Sequence, residues 1–181
     1  MQALIIVDVQ VAFVAGPEPV PSAGALLAAV GSLLDAARDG DAWVVHLQND
    51  GASGAIDEPG SAGWELHFPV EQRGNEVVLR KSTDDGFQGT DLAELLTAQG
   101  IRSVVICGVM SEMCVSATAR SALELGFHVV LPHDAHATYD VPAVPGLAAA
   151  VPHPMVSRVA EWALGDQIDV IAHAADVKFV P

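Results

Sequence analysis

Short runs of aliphatic and β-branched residues recur along this chain, separated by stretches with helical spacing that close on a glycine. This alternation constrains the fold more than any other feature. Leu4-Ile5-Ile6-Val7, Val104-Val105-Ile106-Cys107 and Val129-Val130-Leu131 are apolar at every position. A strand that is apolar on both sides must be covered on both faces, the condition of a parallel sheet between two helical layers. Strands are expected over residues 3–7, 43–47, 77–79, 104–107, 128–131 and 168–171. Between them, 23–38 places Leu26, Leu27, Val30, Leu33, Leu34 and Ala37 near helical spacing before Gly40. A shorter helix is expected over 91–99, with Thr90 as N-cap and Gly100 beyond its end, and another over 155–164. The pattern predicts an α/β three-layer sandwich, a six-stranded parallel sheet with helices on both faces, as one domain over residues 1–181.

The chain has 181 residues, enough for one full core. Eight Lys and Arg stand against 23 Asp and Glu, a net charge of −15. That balance argues against nucleic acid or an anionic membrane surface as a partner. No apolar run reaches the roughly 20 residues that a membrane span needs. Residues 1–7 lack the basic start of a signal peptide and read as a strand. Two cysteines make no disulfide framework, so a reducing, cytoplasmic setting is expected. Cys107, inside an apolar run, reads as a small core residue.

Three side chains with chemistry fall at strand ends. Asp8 follows the first strand, Lys81 lies just past the third, and Cys114 follows the fourth after a tight turn. In a parallel sheet all three belong to the carboxyl edge, where such folds bind ligands. Cys114 is expected to open a helix running to Gly126, so that the helix N-terminus and a nearby ammonium favour its thiolate. An alkylation titration should then find it reacting well below the ordinary thiol pKa of about 8.5. Asp8 can take the thiol proton, Lys81 can hold the charges in place, and Cys114 can attack a carbonyl carbon.

The order of motifs adds a resemblance. Leu4-Ile5-Ile6-Val7-Asp8-Val9-Gln10, then Lys81, then Phe87-Gln88-Gly89-Thr90-Asp91-Leu92, then Cys107-Gly108-Val109-Met110-Ser111-Glu112-Met113-Cys114-Val115, then Asp134-Ala135 resembles the isochorismatase-like cysteine hydrolases as far as about Thr138. The resemblance implies a sheet order of 3-2-1-4-5-6 and a catalytic triad of Asp8, Lys81 and Cys114. It also implies a cis peptide between Val109 and Met110, which would aim the Met110 N–H at the same point as the Cys114 N–H to form an oxyanion hole. Because the thiol is present, it implies hydrolysis of an amide, lactam or carbamoyl C–N bond through a thioester. The alternatives are isochorismatase-type vinyl-ether hydrolysis, which does not need the thiol, and a silent Rossmann-like binding module. The segment after the first strand has none of the glycines that a phosphate loop needs.

Nicotinamidases of that family carry a metal-binding Asp-x-His after the second strand. Here Asn49 and Gly51 hold those positions. No metal or other cofactor is therefore expected, and His46, Asp50 and His67 match no standard ligand spacing. The segment 50–68 is similar to that of metal-free, streptothricin-hydrolase-like members and is expected to form a pocket wall or an interface. Phe13, Trp64 and Phe87 are the expected substrate-binding side chains, since pockets are usually lined by aromatic groups. Asp134 and His136 read as loop-fixing groups. A small-molecule substrate and a homo-oligomeric assembly are the expected partners.

Overall fold

The computed structural model describes residues 1–179. The chain runs β1 (Gln2–Val7), α1 (Val11–Val14), α2 (Ala23–Asp39), β2 (Trp43–Asn49), β3 (Glu76–Lys81), α3 (Leu92–Ala98) and β4 (Ser103–Val109). A π-helical turn (Ser111–Val115) then leads into α4 (Ser116–Glu124), β5 (His128–Pro132), β6 (His136–Ala137), α5 (His153–Ala163) and β7 (Asp169–Ile171). All strand pairings within the sheet are parallel. The order is β3-β2-β1-β4-β5-β7, with β6 paired to β4. The six main strands thus follow the expected order. The sheet has seven strands because the chain, after leaving β5, returns for two residues beside Gly108 and Val109. A strand that short leaves no periodicity in the sequence.

Strand β1 shows why the sheet is covered on both faces. Leu4 and Ile6 enter one apolar cluster with Leu26, Val30, Leu33 and Leu34 of α2. Ala3, Ile5 and Val7 enter the other with Leu92 and Leu96 of α3 and with Ala119 and Ala122 of α4. The two-residue period of the strand feeds both layers at once. Each fully buried Leu, Ile or Val contributes about 1.5–3 kcal/mol by leaving water. β3, at the sheet edge, is buried at Glu76 and Lys81 and alternates half-buried and exposed positions between them.

Two local expectations shift. Thr90 stands one residue before the N-cap of α3, which is Asp91. Its hydroxyl still accepts from the Leu92 N–H at 3.3 Å and donates to the Gly86 carbonyl at 2.6 Å. α5 begins two residues earlier than expected, at His153, with Pro154 in its first turn, where a missing N–H costs nothing. Among the described residues, no helix is long and apolar enough to cross a membrane.

Gly108 sets the spacing of β1 and β4 beside Asp8. Its φ is +119°, and a Cβ there would lie 2.0 Å from the Val7 carbonyl oxygen. Gly100 also has positive φ (+65°), but a Cβ there would meet nothing within 4 Å. Gly100→Ala should therefore cost only the left-handed penalty, about 1–2 kcal/mol. Gly108→Ala should lose clearly more in a urea denaturation experiment, and equal losses would show that the strand contact is not what fixes this glycine.

Candidate active site

The sheet register brings the three predicted side chains together. β1 pairs with β4 up to Val7 and Gly108, and β2 pairs with β3 up to Asn49 and Lys81. Asp8 follows β1 directly, in the left-handed region at φ 51°, a conformation that aspartate tolerates better than most residues. Its N–H bonds to the Leu47 carbonyl at 3.0 Å, so the turn is tied to β2. Lys81 is the last residue of β3, which is longer than expected, and not a residue beyond it. Cys114 lies within the π turn and does not open an α-helix; α4 starts two residues later.

Lys81 is the hub. Its Nζ is 2.7 Å from Asp8 Oδ2 and 3.4 Å from Cys114 Sγ. It also donates to the Thr83 carbonyl at 3.1 Å and contacts Asn49 Oδ1 at 3.4 Å. Asp8 and Lys81 are both buried, at 2% and 3% exposure, while Cys114 is half-buried. Among the described residues, Asp8 Oδ1 is buried with no hydrogen-bond partner at normal distance, and the Cys114 thiol is a neighbour that interacts with this carboxyl. Burial pushes the Asp8 carboxyl up to about 6, even though the Lys81 charge pulls it down. Burial also works against the Lys81 charge, but Asp8 and Cys114 more than reverse it, and its pKa ends above the ordinary value.

Cys114 departs from expectation. Burial raises its pKa, the Asp8 charge raises it further, and Lys81 only partly offsets them. These surroundings favour the protonated thiol over the thiolate. Cys107, fully buried, is likewise pushed up by burial and serves the core.

The second-strand edge explains the absent Asp-x-His motif. Asn49 Nδ2 donates to Asp57 Oδ2 at 2.7 Å, while its Oδ1 faces Lys81. A Cβ on Gly51 would lie 2.1 Å from Asp57 Oδ1. Asp57 thus occupies the space a histidine at 51 would need. Asp57 is buried, and its charge adds to the upward push on Asp8. Asp84, exposed on the loop after β3, places Oδ1 3.7 Å from Cys114 Sγ. Sequence reading missed both, because nothing in a loop aspartate's neighbours in sequence signals a contact across the sheet edge.

The long segment after β2 folds back on the first loop. Val11 and Ala12 donate to the Glu65 and Gly63 carbonyls, and His67 donates to Val9. Gln10 Nε2 donates to both the Asn49 and Trp64 carbonyls at 3.0 Å. Trp64 itself is held in this segment: Nε1 donates to Asp50 Oδ1 at 2.9 Å, and the Arg80 guanidinium lies 5.2 Å from its ring centre. Phe87 stacks on Phe127 with ring centres 6.1 Å apart and packs with Cys114 against one apolar cluster. Phe13 and Met110 pack against the other. The peptide between Val109 and Met110 is cis. His46 is buried against Glu76 at 2.9 Å, and His67 packs edge-on against Phe68. His46, Asp50 and His67 each have separate partners. The ligand-type cluster among the described residues is elsewhere, at His133, His136 and Glu161.

The family model described as the isochorismatase domain matches residues 2–153 of this chain. The chain belongs to the isochorismatase family. Two streptothricin hydrolases of Streptomyces noursei are each 58% identical to it, over 180 and 179 residues. Both alignments cover 99% of this chain, but it spans only 65% and 71% of those two relatives. The crystal structure of an isochorismatase from Pseudomonas putida KT2440 superposes with a TM-score of 0.87 at 28% identity, covering 97% of this chain and 89% of that one. At the sheet edge of this isochorismatase-family chain, an ion pair is in contact with the Cys114 thiol.

The charges around that thiol make signed predictions. In the free protein, iodoacetamide should react with Cys114 along a pH profile displaced above that of an ordinary thiol. Asp8→Asn removes the charge that disfavours the thiolate and should move the profile down. Lys81→Met should move it up. A wild-type profile below that of a model thiol would show that the Lys81 charge, not burial, governs this cysteine.

Proposed function

We propose that this chain is a cysteine amidohydrolase that opens an amide, lactam or carbamoyl C–N bond of a small molecule through a thioester. The observation that carries the reading is the contact of Lys81 Nζ with both Asp8 Oδ2 and Cys114 Sγ, beside an Asp8 oxygen with no hydrogen-bond partner at normal distance among the described residues. Likeness to streptothricin hydrolases over nearly the whole chain supports a streptothricin-type lactam or amide as the first substrate to test.

In this reading Asp8 takes the Cys114 proton as the thiolate attacks the carbonyl carbon. The Met110 and Cys114 N–H groups hold the oxyanion, each donor contributing roughly 3 kcal/mol. Lys81 keeps the carboxylate and thiolate in place through the charge shift. Asp8 then gives its proton to the leaving nitrogen, and the C–N bond breaks. Water attacks the thioester as Asp8 takes a proton from it. The tetrahedral intermediate collapses, Asp8 returns its proton to the departing Cys114 sulfur, and the acid is released. A neutral resting thiol suits this scheme, because the proton leaves only when the attack needs it.

The raised Asp8 pKa gives the second reading a specific footing. A carboxyl that titrates near 6 can also act as an acid, as protonation of a vinyl ether requires. The two readings have opposite pH signs. As the base for amide hydrolysis Asp8 must be ionised, so kcat/KM should rise with pH through about 6. As the acid for ether hydrolysis it must be protonated, and kcat/KM should fall over the same range.

Screening amides, lactams and a vinyl ether with wild type and Cys114→Ala in parallel tests the proposal. Cys114→Ala should abolish amide turnover about as fully as Asp8→Asn or the double variant, because groups that act as a unit do not add. Mass spectrometry during turnover should find the adduct on Cys114 and not on Cys107. Substantial turnover by Cys114→Ala would sink the thioester mechanism.

A further inference from the structure

The chemistry around Cys114 leaves a second polar cluster unused. His133 and His136 flank the turn between β5 and β6, and Glu161 comes from α5. Their three ligand-type atoms all lie within 4.8 Å of one another. Glu161 Oε1 accepts from His136 Nε2 at 3.0 Å and from His133 Nδ1 in a short hydrogen bond. Arg158 Nη1 faces the other oxygen, Oε2, at 3.3 Å, leaving Oε1 to the two imidazoles. Glu161 and His136 are 2% and 5% exposed, whereas His133 is open to solvent.

Two imidazole nitrogens converging on one carboxylate oxygen make a donor set that suits zinc and not magnesium or calcium. A tetrahedral zinc with bonds of about 2.0–2.1 Å needs ligand atoms about 3.3 Å apart, so Glu161 Oε1 has to draw back from the two imidazole nitrogens, which now lie no more than 3.0 Å from it. The exposed His133 ring can supply its part of that separation. It lines surface clefts on both sides, one with Arg158, Trp162 and Asp166, the other with His153 and Ser157. These give an ion access and leave a coordination position for water.

The groups behind the cluster are also in place. His136 Nδ1 is 2.8 Å from Ser111 Oγ, which is 2.9 Å from Ser157 Oγ. Without an ion, Nε2–H donates to Glu161 and Nδ1 accepts the Ser111 proton. With an ion on Nε2, the ring proton moves to Nδ1 and donates to Ser111, whose own proton turns to Ser157. No proton is lost from a neutral ring, and the ligand is oriented as metal-bound histidines usually are. Ser111 is the first residue of the π turn that carries Cys114.

We infer that His133, His136 and Glu161 form a binding site for one zinc-class divalent ion, which braces the turn bearing Cys114 through Ser111. The site is separate from Asn49 and Gly51 at the second-strand edge, and it does not depend on the reaction proposed above. The test is a calorimetric titration of the chelator-treated full chain with Zn²⁺ and, separately, Mg²⁺. It uses a Cys114→Ala background so that the thiol supplies no ligand. One zinc per chain should bind, magnesium should not, and the melting temperature should rise with zinc concentration. His133→Ala, on an exposed side chain, should weaken zinc binding at least tenfold, and Glu161→Gln should do the same. His173→Ala, beside Asp134, should leave it unchanged. Absence of zinc uptake, or uptake that His133→Ala does not weaken, would overturn the site and leave a hydrogen-bonded brace only.

Discussion

The buried pair of Asp8 and Lys81 is the interaction on which the rest of this structure depends. Two opposite charges at 2% and 3% exposure, 2.7 Å apart, persist only because each compensates the other. Desolvation of either charge alone would cost several kcal/mol. The pair joins the residue after β1 to the last residue of β3, across the whole of β2. It therefore fixes the carboxyl edge of three strands at once. It also sets the electrostatics of the thiol, since Asp8 opposes ionisation of Cys114 and Lys81 favours it.

Around that pair the fold uses neutral hydrogen bonds to hold loops that have little apolar area of their own. Gln10 is fully buried and bridges Asn49 and Trp64, so the first loop, the end of β2 and the long segment after it are tied together. Asn49 carries the connection on from Lys81 to Asp57. An aspartate at position 49 would add a third negative charge beside Asp8 and Asp57. The amide satisfies both neighbours without that repulsion, which gives a physical reason for the departure from the metal-binding pattern.

The π turn is the other structural decision at the site. Its first residue, Ser111, is buried in a chain of hydrogen bonds through His136 to Glu161. Its fourth, Cys114, faces Lys81. The α5 helix, which comes some forty residues later, thereby helps to position the turn that carries Cys114. Burial pushes the Glu161 carboxyl up, but hydrogen bonds from His136 and His133 more than reverse it, so the charge is held where the turn needs an acceptor.

By itself the sequence determined the sheet and the membership of its edge. Runs apolar at every position can be buried only between two helical layers, and residues that follow parallel strands must share one edge, whatever the loops do. That is why the parallel layered sheet and the shared edge of Asp8, Lys81 and Cys114 were legible from their positions, whereas the strand order came from the family resemblance. What tertiary structure alone decided is the state of those groups. The thiol's helix-end position suggested an easily ionised cysteine, but burial and the facing carboxylate reverse the sign. Trp64, expected to bind substrate, is tied to Asp50 and Arg80. Asp57, Asp84 and Glu161 gave no local signal, because their roles come from contacts between segments distant in sequence. Periodicity reports how one element meets the core, whereas a pKa or an ion site depends on distances among several elements, which no single stretch of sequence contains.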